Sequence, residues 1–288
     1  MLRRSLFGLL AMITALASRS AVIDDAGRSL PLAHPAHRIV SVAPGATEML
    51  FAAGAGRYVI ATVEYSDVPA EAKRVPRIGD GIAVDMERIV ALRPDVVVVW
   101  PGGGNPAQIA KLASLGFTLY HQQVNALADI PGSLRRLGEL AGTQREADRT
   151  ARDIEARLAA LKLSHRNGER PGVLIQVWNK PIYTVGGRHL ITNALGLCGA
   201  RNIFADLNDM GPAVDVEAVI LRDPDAIVAV APSQASAREW LDGWRKFSKL
   251  KAVRNDRLII FPEGGLTRLG PSAVDATEAL CKAIWPTK

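Results

Sequence analysis

Two glutamates hold matching places in a pattern that the chain uses twice. Glu87-Arg88-Ile89-Val90-Ala91-Leu92-Arg93-Pro94-Asp95 runs into the apolar residues 96–99, and Glu217-Ala218-Val219-Ile220-Leu221-Arg222-Asp223-Pro224-Asp225 runs into residues 226–230. In each copy a Glu opens a short amphipathic helix, a Pro-Asp step stops it, and a buried strand follows. A carboxylate in the first turn of a helix is favoured by the dipole. Two such carboxylates at equivalent places put one matching acid on the surface of each half. Catalytic groupings are absent from the pattern. The histidines His34, His37, His121, His165 and His189 are scattered without metal-ligand spacing, so no metal site is expected. There is no Gly-x-Ser-x-Gly elbow and no phosphate loop ending in Gly-Lys-Ser/Thr. The run Gly102-Gly103-Gly104 reads either as a plain turn or as a place where a ligand approaches the backbone.

The elements around these residues alternate strand and helix. Strands are predicted at 38–42, 59–63, 95–100 and 117–120, with helices over 47–53, from Glu87, and over 105–115. That alternation predicts a parallel sheet covered on both faces, forming an N-terminal lobe over residues 38–129. Residues 130–166 turn helical, with Leu134, Leu137, Leu140 and Ala141 on one spacing and Ile154, Leu158 and Leu161 continuing it. A second α/β unit follows over 171–288, with strands at 172–177, 225–230 and 258–261 and a helix over 273–284. The predicted fold class is therefore α/β, two lobes with parallel sheets joined by one long rigid helix. A stiff single bridge implies small lobe motion on ligand entry.

With 288 residues and 48 % hydrophobic content the chain can bury one large core or two smaller ones. Thirty-five Lys and Arg against 29 Asp and Glu leave it mildly basic, but no basic block interleaves with aromatics, which argues against nucleic acid as a partner. Met1-Leu2-Arg3-Arg4 followed by the apolar residues 5–17 has the form of a secretory signal peptide, placed over residues 1–21 and too short to span a membrane. The mature protein is expected to be exported, soluble and monomeric. In an oxidising compartment Cys198 and Cys281, the two cysteines of the chain, read most simply as a disulfide, with a pair of buried thiols as the alternative. Closing so long a loop stabilises by roughly 4 to 5 kcal/mol at most in the chain-entropy picture.

Ligands of open parallel sheets sit beyond the carboxyl ends of the strands. Pro44-Gly45-Ala46, Glu64-Tyr65-Ser66-Asp67 and Trp100-Pro101-Gly102 follow strands of the first lobe. The segment from Trp178 to Tyr183 and the run Gly264-Gly265-Leu266-Thr267-Arg268 follow strands of the second. Two lobes with such edges have the layout of a receptor whose cleft lies between them.

Specific segments carry a family likeness. These are Ser41-Val42-Ala43-Pro44-Gly45-Ala46-Thr47-Glu48, Tyr65-Ser66-Asp67-Val68-Pro69, the Glu87 copy of the repeat, Leu112-Ala113-Ser114-Leu115-Gly116, and Cys198-Gly199-Ala200-Arg201-Asn202-Ile203-Phe204. The chain resembles the periplasmic cobalamin-binding proteins of ABC importers, within the wider group of helical-backbone receptors for haem, siderophores and corrinoids. The resemblance implies two Rossmann-like lobes of a class III periplasmic binding protein and a Cys198–Cys281 bridge. It implies that Tyr65 packs on the corrin, with Pro44, Gly45 and Trp100 lining the first lobe. Tyr183 would line the second lobe together with Gly264, Gly265, Leu266 and Thr267, and Arg268 would close the loop. Glu87 and Glu217 would dock on arginines of an ABC permease. Cobalamin would be cargo rather than a cofactor. The chain departs from its relatives at Gly81, Gly211 and Gly264-Gly265, where they carry bulkier residues, so the cleft could take a related corrinoid. A haem or siderophore receptor is the nearest alternative, and a periplasmic enzyme using Asp67 or Glu64 is the alternative from another class.

Overall fold

Each Pro-Asp step of the repeat ties the start of one strand to the start of its neighbour. In the computed structural model, which describes residues 21–80, 83–164, 170–262, 264–268 and 270–285, Asp95 Oδ2 accepts from the backbone N–H groups of His37 and Arg38 at 2.8 and 2.9 Å. Asp225 Oδ2 accepts from the N–H of Gly172 at 2.7 Å. The helices before them are built alike. Asp85 and Asp215 are N-caps whose side chains accept from the N–H three residues on, Arg88 and Ala218. Arg93 and Asp223 end the helices in the left-handed region at φ 45° and 40°, and the prolines that follow cannot continue a helix. The repeat is thus a set of local bonds made twice.

The N-terminal half runs β1 (Ile39–Ser41), α1 (Pro44–Ala52), β2 (Val59–Ala61), α2 (Met86–Leu92), β3 (Val96–Val99), α3 (Pro106–Ser114) and β4 (Leu119–His121). Two helices follow, α4 (Ile130–Ala141) and α5 (Gln144–Ser164). The C-terminal half opens with β5 (Gly172–Gln176), β6 (Ile182–Tyr183), α6 (Leu190–Leu197), β7 (Arg201–Asn202) and β8 (Ala213–Val214). It continues with α7 (Val216–Arg222), β9 (Ala226–Ala231), α8 (Gln234–Arg245), α9 (Lys251–Arg254), β10 (Leu258–Pro262) and α10 (Ser272–Ile284). The first sheet has the order β2-β1-β3-β4 and the second β7-β5-β9-β10, with every pairing parallel. The two halves therefore share one topology, and β6 and β8 form a separate antiparallel ribbon.

Side chains alternate across each sheet as strand geometry requires. Ile39, Val96 and Val98 of the first sheet and Val173, Ile175, Val228 and Val230 of the second face one core, which continues through α1, α4, α5, α6 and α10. The outward faces have their own clusters. Val40, Val97 and Val99 pack with Ile89 and Leu112, while Leu174, Ile227 and Ala229 pack with Trp240, Leu241 and Trp244. One apolar core therefore runs through both halves.

The long bridging helix is α5, unbroken over the 21 residues Gln144–Ser164, and α4 precedes it. Gly142, at φ 72°, ends α4, and α5 begins two residues later. Thr143 at this break donates its hydroxyl to the carbonyl of Ala53 at 2.6 Å, and Thr150 donates to Ala52 at 3.0 Å. Carbonyls at the C-terminal end of α1 are thereby satisfied by the bridge. The first helix also starts three residues earlier than its apolar pattern predicts. Pro44 and Gly45, read from sequence as loop, form its first turn, where proline is tolerated. The segment ahead of β1 is anchored as well. The buried Asp25 carboxylate accepts from Tyr120 Oη at 2.7 Å, Ser133 Oγ at 2.6 Å and Arg136 Nε at 2.7 Å. Cys198 and Cys281 form a disulfide that joins the end of α6 to α10 across 83 residues. The leader read over residues 1–21 lies, but for residue 21, outside the described residues, as do Gly81 and His165. Among the described residues no helix is long and apolar enough to cross a membrane.

A buried carboxylate joins the halves directly. Glu48 of α1 accepts from the backbone N–H of Ser272 at 2.6 Å and from its hydroxyl at 2.8 Å. Desolvation raises the Glu48 pKa, although the two hydrogen bonds oppose it. The folded state therefore holds this proton to higher pH than the unfolded chain. The resulting stability is fully present below the ordinary carboxylate range and is lost as pH rises through the raised value. Glu48→Gln keeps an acceptor for the Ser272 N–H and removes the buried charge, so it is expected to abolish this local decline in chemical-denaturation series against pH. Glu48→Ala strands the Ser272 donors and is expected to cost about 1–3 kcal/mol.

Candidate functional site

Tyr65 stands in a conformation that its side chain disfavours. Its φ is 63°, in the left-handed region, and the residue is 74 % exposed. A left-handed non-glycine residue costs roughly 1–2 kcal/mol, so its surroundings must hold it there. A buried hydroxyl cluster does this from below. Thr47 Oγ1 lies 2.9 Å from Ser41 Oγ and 2.6 Å from Thr62 Oγ1, and Thr62 Oγ1 lies 2.9 Å from Ser66 Oγ. The Ser66 carbonyl accepts from Arg77 Nη2 at 2.8 Å. With Ser66 pinned on both sides, Tyr65 is presented outward at the end of the strand.

Trp100 directly follows β3, and the glycine run after it folds back onto its ring. Gly104 N–H donates to the Trp100 carbonyl at 2.8 Å. A Cβ on Gly103 would fall 2.1 Å from the indole, so a side chain there would displace it. The run therefore fits the chain's own tryptophan, which it supports as a shelf.

Tyr65 and Trp100 border a cavity of about 180 Å³ whose remaining walls are Ala43, Pro44, Gly45, Ala46, Gln122 and Arg268. It lies between the halves, since Arg268 comes from the C-terminal one. Arg268 Nη1 donates to Asp67 Oδ1 at 2.7 Å. This hydrogen bond and the guanidinium charge hold the Asp67 carboxyl below its ordinary range. The cavity is smaller than the 300 to 1,000 Å³ typical of sites that enclose a small molecule. It suits the edge of a larger flat ligand. Larger hollows of about 650 and 770 Å³ open along β4 and beside Glu217. Neither contains the Tyr65–Trp100 pair, so the candidate site is the cavity between the halves. No cluster of metal-ligating side chains occurs among the described residues.

Of the residues singled out from sequence, Pro44, Gly45, Tyr65, Trp100 and Arg268 come together at this cavity. Tyr183 does not line it. It lies on β6, paired with Ala213 of β8. Gly265, Leu266 and Thr267 form a single 3-10 turn after Gly264, and the Leu266 side chain is buried in the shared core. The loop thus reaches the cavity through Arg268. Ala46, read with Pro44 and Gly45 at the first strand end, also lines the cavity, whereas Gln122 and Ala43 were missed. Gln122 directly follows β4, so the strand-end rule could have found it. Glu87 and Glu217 are both exposed in the first turns of α2 and α7.

Residues 39–263 match the family model described as "Periplasmic binding protein". The chain is 34 % identical over 247 residues to the vitamin B12-binding protein of Vibrio cholerae, covering 86 % of this chain and 88 % of that one. The crystal structure of the periplasmic vitamin B12 binding protein BtuF of Vibrio cholerae superposes with a TM-score of 0.78 at 33 % identity, covering 87 % of this chain and 97 % of that one. A periplasmic heme binding protein from Pseudomonas aeruginosa superposes with a TM-score of 0.74 at 25 % identity, covering 88 % of this chain and 94 % of that one. With its paired parallel sheets and the cleft between them, the chain belongs to the periplasmic binding protein family.

Proposed function

We propose that this protein captures cobalamin or a related corrinoid in the periplasm and delivers it to an ABC permease. The observation that carries the reading is the cleft wall itself. An outward tyrosine held against its backbone preference stands beside a glycine-supported tryptophan, in a chain whose relatives bind vitamin B12. The apolar face of a corrin would lie against Tyr65 and Trp100, with polar side groups toward Arg268. Cobalamin is cargo here, not a cofactor.

Reaction chemistry has little to draw on at this site. Asp67 is ion-paired and held ionised, which makes it a poor proton carrier near neutral pH. A haem receptor is the second reading, favoured by the exposed Tyr65 phenol and the heme-binding structural neighbour. Docking would use Glu87 and Glu217, one on each lobe, at matched helix starts. The hollow beside Glu217, walled by Trp240, Trp244 and Phe247, offers an apolar seat next to that charge.

Calorimetric titration of the mature protein with cyanocobalamin, cobinamide and hemin is the direct test. Tight one-to-one cobalamin binding is expected, weakened at least about tenfold by Tyr65→Ala, or about 1.4 kcal/mol. No corrinoid heat, together with a hemin Soret shift lost in Tyr65→Phe, would move the protein to the haem reading. Tyr65→Gly is expected to stabilise the unliganded protein by about 1 kcal/mol in denaturant titration while losing affinity, since glycine accepts the left-handed backbone. Glu87→Arg and Glu217→Arg are expected to leave ligand affinity unchanged and to lower stability by only about 1 kcal/mol each, through the lost dipole interaction. Each should reduce stimulation of permease ATPase activity in proteoliposomes.

A further inference from the structure

Gln122 is an unexplained polar group in the wall of the cleft. It is 2 % exposed, it lines the cavity between the halves, and its side-chain nitrogen has no hydrogen-bond partner. Its backbone is not strained into place by this, because its N–H donates normally to the Val99 carbonyl at 2.9 Å. Buried donors without acceptors are rare in folded chains, and each calls for an explanation. Among the described residues Thr184 Oγ1 shares this state, but Thr184 does not line the cavity, and Asp25 shows a buried group fully engaged.

A donor held unpaired in the wall of a binding cavity is explained if the side chain turns to the ligand on binding and the ligand supplies the acceptor. Its chemistry also narrows which acceptor. An amide N–H donates without carrying charge, and the cation at the cavity, Arg268, is already matched by Asp67 at 2.7 Å. A ligand carboxylate would enter this wall without a free counter-charge from either residue, whereas a neutral carbonyl needs none. We propose that Gln122 is a specificity-determining residue that donates through Nε2 to a peripheral carboxamide carbonyl of the bound corrinoid. This rests on the receptor reading above and adds to it a reason for preferring amide-bearing over carboxylate-bearing tetrapyrroles.

Gln122→Leu and Gln122→Glu, each assayed by cyanocobalamin calorimetry and by thermal melting without ligand, test the proposal. Gln122→Leu removes the donor and its unsatisfied burial together. It is expected to bind cyanocobalamin about 3- to 10-fold more weakly, while the unliganded protein melts at the same or a higher temperature. Gln122→Glu turns the donor into an acceptor and is expected to lose more than about tenfold. Cyanocobalamin whose peripheral amides have been hydrolysed to carboxylates is expected to bind the wild type more weakly than the intact ligand. Unchanged affinity in both variants overturns the proposal while leaving the receptor reading intact. So does a loss of affinity that tracks a loss of melting temperature, which would assign Gln122 to the scaffold. Equal binding of the intact and hydrolysed ligands overturns the selectivity. Failure of the wild type to bind any corrinoid removes the receptor reading, and the proposal falls with it.

Discussion

The capping of α10 by Glu48 is the contact on which the cleft depends. The first N–H groups of a helix have no partner within it, and a carboxylate there is favoured both by hydrogen bonding and by the dipole. Here the carboxylate comes from the other half of the molecule, 224 residues away in sequence. The approach is close enough that a Cβ on Gly270 would meet the Glu48 carboxyl carbon at 2.7 Å. The same helix that carries Glu48 begins at Pro44 and Gly45, in the cleft wall. Arg268 sits four residues ahead of Ser272 and reaches back across to Asp67. Two polar ties therefore set the spacing of the walls, one buried and one at the rim.

The apolar core makes those ties effective. Because α1, α4, α5, α6 and α10 pack in the core that both sheets face, the halves are not independent bodies on a flexible linker. Arg157 of α5 adds a surface network with Asp275 and Glu278 of α10. Exposed pairs of this kind contribute little one by one. The buried cap, the disulfide and the shared core hold the arrangement.

Two local energetic costs fall where a ligand would sit. Tyr65 is held in a disfavoured backbone region, and Gln122 keeps a donor unpaired. The hydroxyl cluster of Ser41, Thr47, Thr62 and Ser66 beneath them is, by contrast, fully connected. A rigid, satisfied layer carrying a strained and unsatisfied surface is a physical arrangement suited to recognition.

Much of the fold was legible because it rests on short-range bonds. Asp85 and Asp215 cap helices three residues away, apolar residues alternate with the period of a strand, and prolines stop the helices that precede them. Those features act within a few residues, so their spacing alone determined the two α/β units, the helical bridge, the exposed pair Glu87 and Glu217, and most strand ends. Five of the ten residues read as lining the cleft were found there by the strand-end rule and the family likeness. The tertiary structure decided what depends on distant partners. It turned Pro44 and Gly45 into a helix start above the core, drew Leu266 inward, and placed Tyr183 on a ribbon with β8. It matched Arg268 to Asp67 across 201 residues and left Gln122 without a partner. No local pattern encodes such outcomes, because which polar group meets another, and which meets none, is set only when the two sheets close on their shared core.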